Sequence, residues 1–221
     1  MVGINICDKM RDILGEKIVI GAIEAKIRVK ESDELLWKEI SSLCSKIEKE
    51  NSLEDVLKIY NIKAARDAYK KLGKDPSRYR VSSESLVRRV TKGNELYRVN
   101  NIVDINNLIS IYSFNPVCAY DIDKIDPEIY FTIGEEGDYY EGIGRGQVNL
   151  SNLPVFKDSQ GEFGSTTSDS IRAMVTENTE KLLMNIVSFS GEGQMEKYME
   201  YCKELIIKYA EAKDVSMRII K

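Results

Sequence analysis

Apolar residues in this chain recur at two spacings, and the spacing changes roughly midway. In the first half they fall mostly three and four residues apart, the period of a helix with one buried face. Residues 5–14 read as a short helix with Ile13 and Leu14 inward. The β-branched, partly alternating run 17–29 (Ile18, Ile20, Ala22, Ile27) reads as a strand. Ser32 precedes Leu35, Leu36, Ile40, Leu43 and Ile47, which predicts a helix of about 16 residues with Ser32 as N-cap. Trp37, the only tryptophan, lies on or beside that stripe and suits a core anchor. A short helix near 52–60 and a helix over 62–73 ending at Gly73 follow. After a Pro76-Ser77 turn, a further helix is expected with Ser82 or Ser83 as its cap.

The least polar long run is 99–125, VNNIVDINNLISIYSFNPVCAYDIDKI. Val103, Leu108, Ile109, Ile111 and Tyr112 predict a largely buried helix, with Asp104 as N-cap. Pro116 cannot continue a helix and disfavours helical backbone at Asn115, so a tight turn and an alternating strand over 117–122 come next. Beyond that, short aromatic, glycine-punctuated strands are predicted at 128–134, around Tyr139-Tyr140 and over 153–164, with hairpin turns at Glu136-Gly137 and Ser159-Gln160-Gly161. KLLMNIVSF (181–189) is a near-continuous apolar run of strand length, as a central strand should be. Residues 194–213 form an amphipathic helix pattern, and 215–220 a final strand. The expectation is one α+β domain over 1–221, with a helical N-terminal subregion 1–60, a motif-bearing core 60–190 and a mixed sheet in the second half.

Composition narrows the chemistry. The chain has 221 residues, 43% hydrophobic and 31% charged, which is ordinary for a globular protein able to bury a core. No apolar run reaches membrane-spanning length, and MVGINICDKMRD does not read as a signal peptide. The four cysteines lie far apart, which argues against a zinc site or a disulfide framework and fits a reducing cytoplasm. There is no histidine, so Ser-His-Asp and Cys-His catalysis and His-based zinc sites are excluded. No cofactor or metal is expected. The net charge of −4 conceals a basic segment: residues 58–98 hold twelve Lys or Arg against four acids, a local +8. Arg78, Arg80, Arg88, Arg89 and Lys92 are its candidates for phosphate contacts, against the plainer reading of a solvated helical surface.

The second informative stretch is 163–185. Six of the eight residues from Gly164 to Ile171 are Gly, Ser or Thr, a poor helix or strand interior but a good loop for presenting hydroxyls and amides. Ser165, Thr166, Thr167 and Ser168 supply the hydroxyls. Asp169 and Arg172 are three apart and could pair, or separately hold the ammonium and carboxylate of an amino acid. The plainer reading is an exposed loop whose side chains cap the next element. Cys118 lacks a histidine to activate it and suits a small core residue better than a nucleophile. Asp121 and Asp123 suit a strand end better than a metal site.

These stretches resemble the B3/B4 tRNA-binding and editing domain of the phenylalanyl-tRNA synthetase beta subunit. VDINNLI stands where that family has VDVTNYV, FNP for GQP, and VCAYDID for MHAFDLD. Pro76-Ser77 and Arg88-Arg89 sit where the family has a turn and an Arg-rich helix, and the resemblance extends more weakly over about 60–190. It implies a three-layer mixed-sheet fold with a C-terminal helix. It also implies a pocket shaped by Asn107, Asn115, Gly164–Asp169, Arg172 and Asn185. The family's pocket histidine is Cys118 here, and its selective glutamate is Asn185. The chain is far too short for a synthetase core and looks like a free-standing version of the module. Two functions follow as expectations. One is hydrolysis of a mischarged aminoacyl-tRNA in trans, assisted by the terminal adenosine's own hydroxyl. The other is binding, without turnover, of an amino acid, a nucleotide-linked ligand or tRNA.

Overall fold

The computed structural model describes all 221 residues, as six α-helices and ten strands. Strands β1 (Gly3–Ile6), β4 (Glu128–Ile133), β7 (Pro154–Asp158) and β8 (Gly161–Ser165) form one four-stranded sheet in the order β1-β4-β7-β8. Strands β2 (Val19–Lys26), β3 (Val117–Asp121), β9 (Lys181–Ser188) and β10 (Lys213–Ile220) form the second, in the order β10-β2-β9-β3. The first sheet is mixed, with β1 parallel to β4, and the second is antiparallel throughout. A separate hairpin pairs β5 (Tyr139–Gly142) with β6 (Gly146–Asn149).

Strand alternation explains the layering. On β9, Leu182, Met184 and Ile186 face one apolar cluster, and Leu183 and Val187 face another. The first cluster lies between the second sheet and the helices α2 (Glu34–Glu50), α4 (Ser82–Val90), α5 (Asn101–Ser113) and α6 (Met195–Ala210). The other lies between the two sheets, closed at its ends by α1 (Asp8–Leu14) and α3 (Tyr60–Lys71). The fold is α+β in three layers, sheet on sheet on helices. Each aliphatic side chain fully buried on β9 is worth about 1.5–3 kcal/mol, which is why a near-continuous apolar run lies at the sheet's centre. Both clusters draw on residues from either side of residue 60. No helix is long and apolar enough to cross a membrane.

Several local expectations need correction. Residues 5–14 divide into the end of β1 and α1, and β1 and β2 show that the helix-rich first half also contributes one strand to each sheet. Asp33, not Ser32, caps α2, accepting from the Leu35 N–H. Asn100, not Asp104, caps α5, accepting from the Val103 N–H. Asp104 is instead buried and accepts from the Trp37 indole at 2.9 Å, the Ser32 hydroxyl and the Val99 N–H. A charged group in the core needs that many donors, so local capping propensity yields to it. Val81 occupies the N-cap position of α4, and the hydroxyls of Ser82 and Ser83 are buried without partners. The turn at Gly137 joins strands in different sheets and is no hairpin, whereas β7 and β8 do form one around Ser159-Gln160. The helix α5 ends with Phe114 in left-handed backbone before Pro116, as the sequence pattern requires.

Candidate functional site

The largest opening lies where β3 forms the edge of its sheet. Val99 and Asn100, just before α5, and Val103 and Asn106 in its first turns form one wall. Ala119 of β3 forms the floor, and the segment after β8 forms the other wall with Asp169 and Met174–Glu177. Ile143, at the tip of the β5–β6 hairpin, and Val29–Glu31 complete the rim. The volume is about 970 Å³, enough for a small organic ligand. The second wall is held by backbone bonds: Asp121 N–H to Ala173 O, and a bridge between Tyr120 and Met174. The hairpin is tied down by Ile143 N–H to Asp169 O and Ile171 N–H to Glu141 O.

The lining is half apolar, and its charged residues Lys30, Glu31 and Glu177 lie at the rim; deeper in, two polar groups lack full partners. Asp169 Oδ1 accepts from the Tyr120 hydroxyl at 2.8 Å and the Ser165 N–H at 3.2 Å, while Oδ2 has no hydrogen bond within the protein. Burial pushes the Asp169 carboxyl up to about 7, with the Tyr120 and Ser165 bonds pulling in the opposite direction. Asn106 Oδ1 is buried and has no partner. A carboxylate oxygen left without a protein partner at the wall of a cleft is suited to a ligand that donates hydrogen bonds, an ammonium above all.

The motif positions divide between this cleft and a sealed layer behind it. In the register of β2, β9 and β3, Ala22, Asn185 and Cys118 stand in one row. Cys118 faces the inter-sheet cluster, and alternation brings Asn185 to the same side. Both are buried. The Cys118 thiol is 3.7 Å from Ser165 O, and burial raises its pKa well above the ordinary value, so it stays protonated and unreactive. Neither side-chain polar atom of Asn185 has a partner.

Gly164 and Ser165 lie in β8, not in a loop. A Cβ on Gly164 would stand 2.0 Å from the Tyr120 hydroxyl, so this glycine is where the Tyr120 ring crosses the strand. The hydroxyls that follow are committed internally. Tyr69 bonds Thr166 Oγ1 at 2.6 Å and Thr167 Oγ1 at 2.9 Å. Ser165 Oγ donates to Ser168 O at 2.7 Å and accepts from the Thr167 and Ser168 N–H groups. Tyr140 donates to Ser168 O. Arg172 does not pair with Asp169. Its guanidinium holds buried Asp158 through two bonds of 2.9 and 3.0 Å and also donates to Gly161 O.

Asn107 is half-buried on α5 but is not a cleft residue, and Asn115 is buried in the turn, its N–H donating to Ser113 Oγ. Asp121 accepts from Thr179 Oγ1 and from the Asp123 N–H, and Asp123 pairs with Lys181, so both serve the strand end. Among the basic candidates, Arg80 lies 3.9 Å from buried Glu84, which Arg66 also holds at 3.0 Å. Arg89 donates to Glu95 O and stacks on Tyr97. Arg78 and Lys92 are exposed, and Arg88 is half-buried. Arg78 and Arg80 precede α4 while Arg88, Arg89 and Lys92 lie at its other end, so these five do not form one cluster. Sequence reasoning missed Asn106, although Val103 and Asn106, three apart, share one helix face.

A family model described as the B3/4 domain matches residues 64–209. No curated protein matches the chain. Among solved structures, an N-terminal fragment of the phenylalanyl-tRNA synthetase beta-subunit from Pyrococcus horikoshii is similar, with 14% identity and a TM-score of 0.49. That match covers 100% of this chain and 54% of the fragment, so the chain spans about half the fragment's length.

Proposed function

The chain belongs to the B3/4 domain family, and from that premise we propose that it is a recognition module for an amino acid, free or carried as the aminoacylated end of tRNA. The observation that carries this reading is the free Oδ2 of Asp169, beside unpartnered Asn106 Oδ1, in a cleft whose apolar part is Val29, Val99, Val103, Ala119, Ile143, Met174 and Val175. Asp169 and Asn106 hold the ammonium. Val99, Val103, Ala119 and Met174 surround an apolar side chain. The tRNA part of the reading rests on the VDINNLI, FNP and VCAYDID motifs, which form α5, its terminal turn and β3 beside the cleft.

A second reading, trans hydrolysis of a mischarged aminoacyl-tRNA, is favoured by one observation. A carboxyl pushed up to about 7 is matched to general-base work on a water at neutral pH. Against it, the loop hydroxyls are engaged with Tyr69 and with the loop's own backbone, and Cys118 is sealed. The recognition reading therefore stands first.

Titration with amino acids, their methyl esters and their N-acetyl derivatives tests it, followed by calorimetry or amide chemical shifts. Free-amine compounds should bind, N-acetylated ones should not, and Asp169→Asn should weaken binding at least tenfold. Equal binding of amine and N-acetyl compounds would sink the ammonium assignment. Deacylation of labelled aminoacyl-tRNAs, measured alongside, separates the two readings: turnover that rises through pH 7 and vanishes in Asp169→Asn would replace recognition with hydrolysis.

A further inference from the structure

The cations and the acids around the mouth of the cleft are treated differently. The one cation lining the cleft, Lys30, is held by Glu211 at 2.8 Å. Beside the cleft lies a second opening of about 560 Å³, which shares Val29 and Glu177 with it. The cations there are engaged as well: Lys26 with Asp214, Arg28 with Glu211 and Lys181 with Asp123. The acids at the rim are not. Glu31 and Glu177 are exposed, and neither carboxylate has an ion pair or a hydrogen bond.

Both glutamates stand on a fixed backbone. Lys30 N–H donates to Asn101 Oδ1 at 3.0 Å and Lys30 O accepts from Asn101 N–H at 2.9 Å, which ties the chain before Glu31 to the start of α5. Glu177 lies in a turn closed by Thr179 N–H to Thr176 O and anchored by Thr179 Oγ1 to Asp121. Ile27 N–H to Glu180 O joins the two segments.

Like charges held at one mouth above low-dielectric walls concentrate the opposite sign. Below the rim, Val29, Val99, Val103, Met174 and Val175 are apolar. A side chain with an apolar stem and a cationic head matches that order, because its stem buries along apolar surface while its head keeps to the wet rim. An anionic head would meet the two glutamates and find no unengaged cation. The deep acceptors alone would take any amine; the rim adds a second requirement.

We propose that the amino acid bound in the cleft carries a cationic side chain. Its α-ammonium meets Asp169 and Asn106, its methylene stem lies along Val99, Val103 and Met174, and its terminal cation sits between Glu31 and Glu177. The proposal rests on the ammonium reading of the cleft and narrows it, since the apolar walls then hold the stem of the side chain and not its end.

Calorimetry with lysinamide and norleucinamide tests it. The two differ only in the terminal ammonium, and neither has a free carboxylate. Lysinamide should bind about fivefold more tightly, as two exposed ion pairs allow, and added salt should shrink the difference. Glu31→Gln with Glu177→Gln should abolish the preference and leave norleucinamide affinity unchanged, whereas Asp169→Asn should weaken both. Equal affinity for the two amides overturns the inference and leaves the ammonium reading standing. Failure of both amides to bind sinks that reading, and this one with it. A preference that survives in the double variant overturns the inference by placing the terminal cation elsewhere. Cadaverine binding as tightly as lysinamide overturns it too, by making the cleft a diamine site.

Discussion

The two sides of β3 carry the same motif and have opposite fates. Ala119 opens onto the cleft, while Cys118 is shut between the sheets beside Asn185. On the open side, polar groups are left free: Asp169 Oδ2 and Asn106 Oδ1 have no protein partner. On the closed side the hydroxyls of Thr166 and Thr167 are spent on Tyr69 and that of Ser165 on the backbone. A motif therefore does not mark a pocket residue by residue. Strand alternation assigns each member to one side or the other, and only one side of this strand meets solvent.

Breaking the closed side should have the largest effect. Gly164→Ala forces a methyl group against the Tyr120 ring, which is fully buried and fixed by Asp169. A loss of about 3 kcal/mol is expected, read by urea denaturation at unchanged m-value. A loss under about 1 kcal/mol would mean that the two sides are not rigidly separated.

The open side is sharpened by pH. The folded-state pKa of Asp169 is raised to about 7, so the native protein holds a proton that the unfolded chain releases near the ordinary value of 3.8. Its contribution to stability is therefore complete at low pH and is lost as pH rises from about 4 to about 7. Asp169→Asn should remove that decline, leaving the variant more stable at pH 8 by at most about 4 kcal/mol, less whatever solvent screening in the open cleft relieves. Ligand affinity should move the other way, strengthening as pH rises to about 7 and then levelling. A pH-independent stability difference between the two proteins would contradict the assignment.

The smallest expected effect tests whether the closed side keeps a polar purpose. Asn185 is fully buried among aliphatic neighbours with neither polar atom partnered. Asn185→Leu should then stabilise the fold by about 1–2 kcal/mol, with cleft affinity unchanged. Destabilisation would show that the amide is satisfied in solution and that the inter-sheet layer admits a polar guest.

Much of this was legible in the residues. The unbroken apolar run of β9 announced a strand buried on both faces, and the break at Asn115-Pro116 announced the end of α5. What escaped was long-range. Nothing near Asp104 reveals that Trp37 and Ser32 donate to it, or that Asn100 takes over as cap. Arg172 sits three residues from Asp169, yet its partner, Asp158, comes from the preceding hairpin. Gly164–Ser165 looked like loop because hydroxyl-rich segments usually are, and pairing with β7 overrode that local preference. The basic residues of 58–98 do not form one patch: Glu84 holds Arg66 inward with exposed Arg80 nearby, and the unpaired lysines of α3 face a different groove with Lys17.

The position of β2 has a consequence for synthesis. Its neighbours on both sides, β9 and β10, lie near the far end of the chain, with Lys26 opposite Lys181 on one side and opposite Lys213 on the other. A ribosome adding roughly 5–20 residues per second needs on the order of ten seconds or more to deliver those partners. Throughout that interval Val19, Ile20 and Ile23 have no sheet to join. The second sheet therefore cannot close around β2 until both of those strands have emerged.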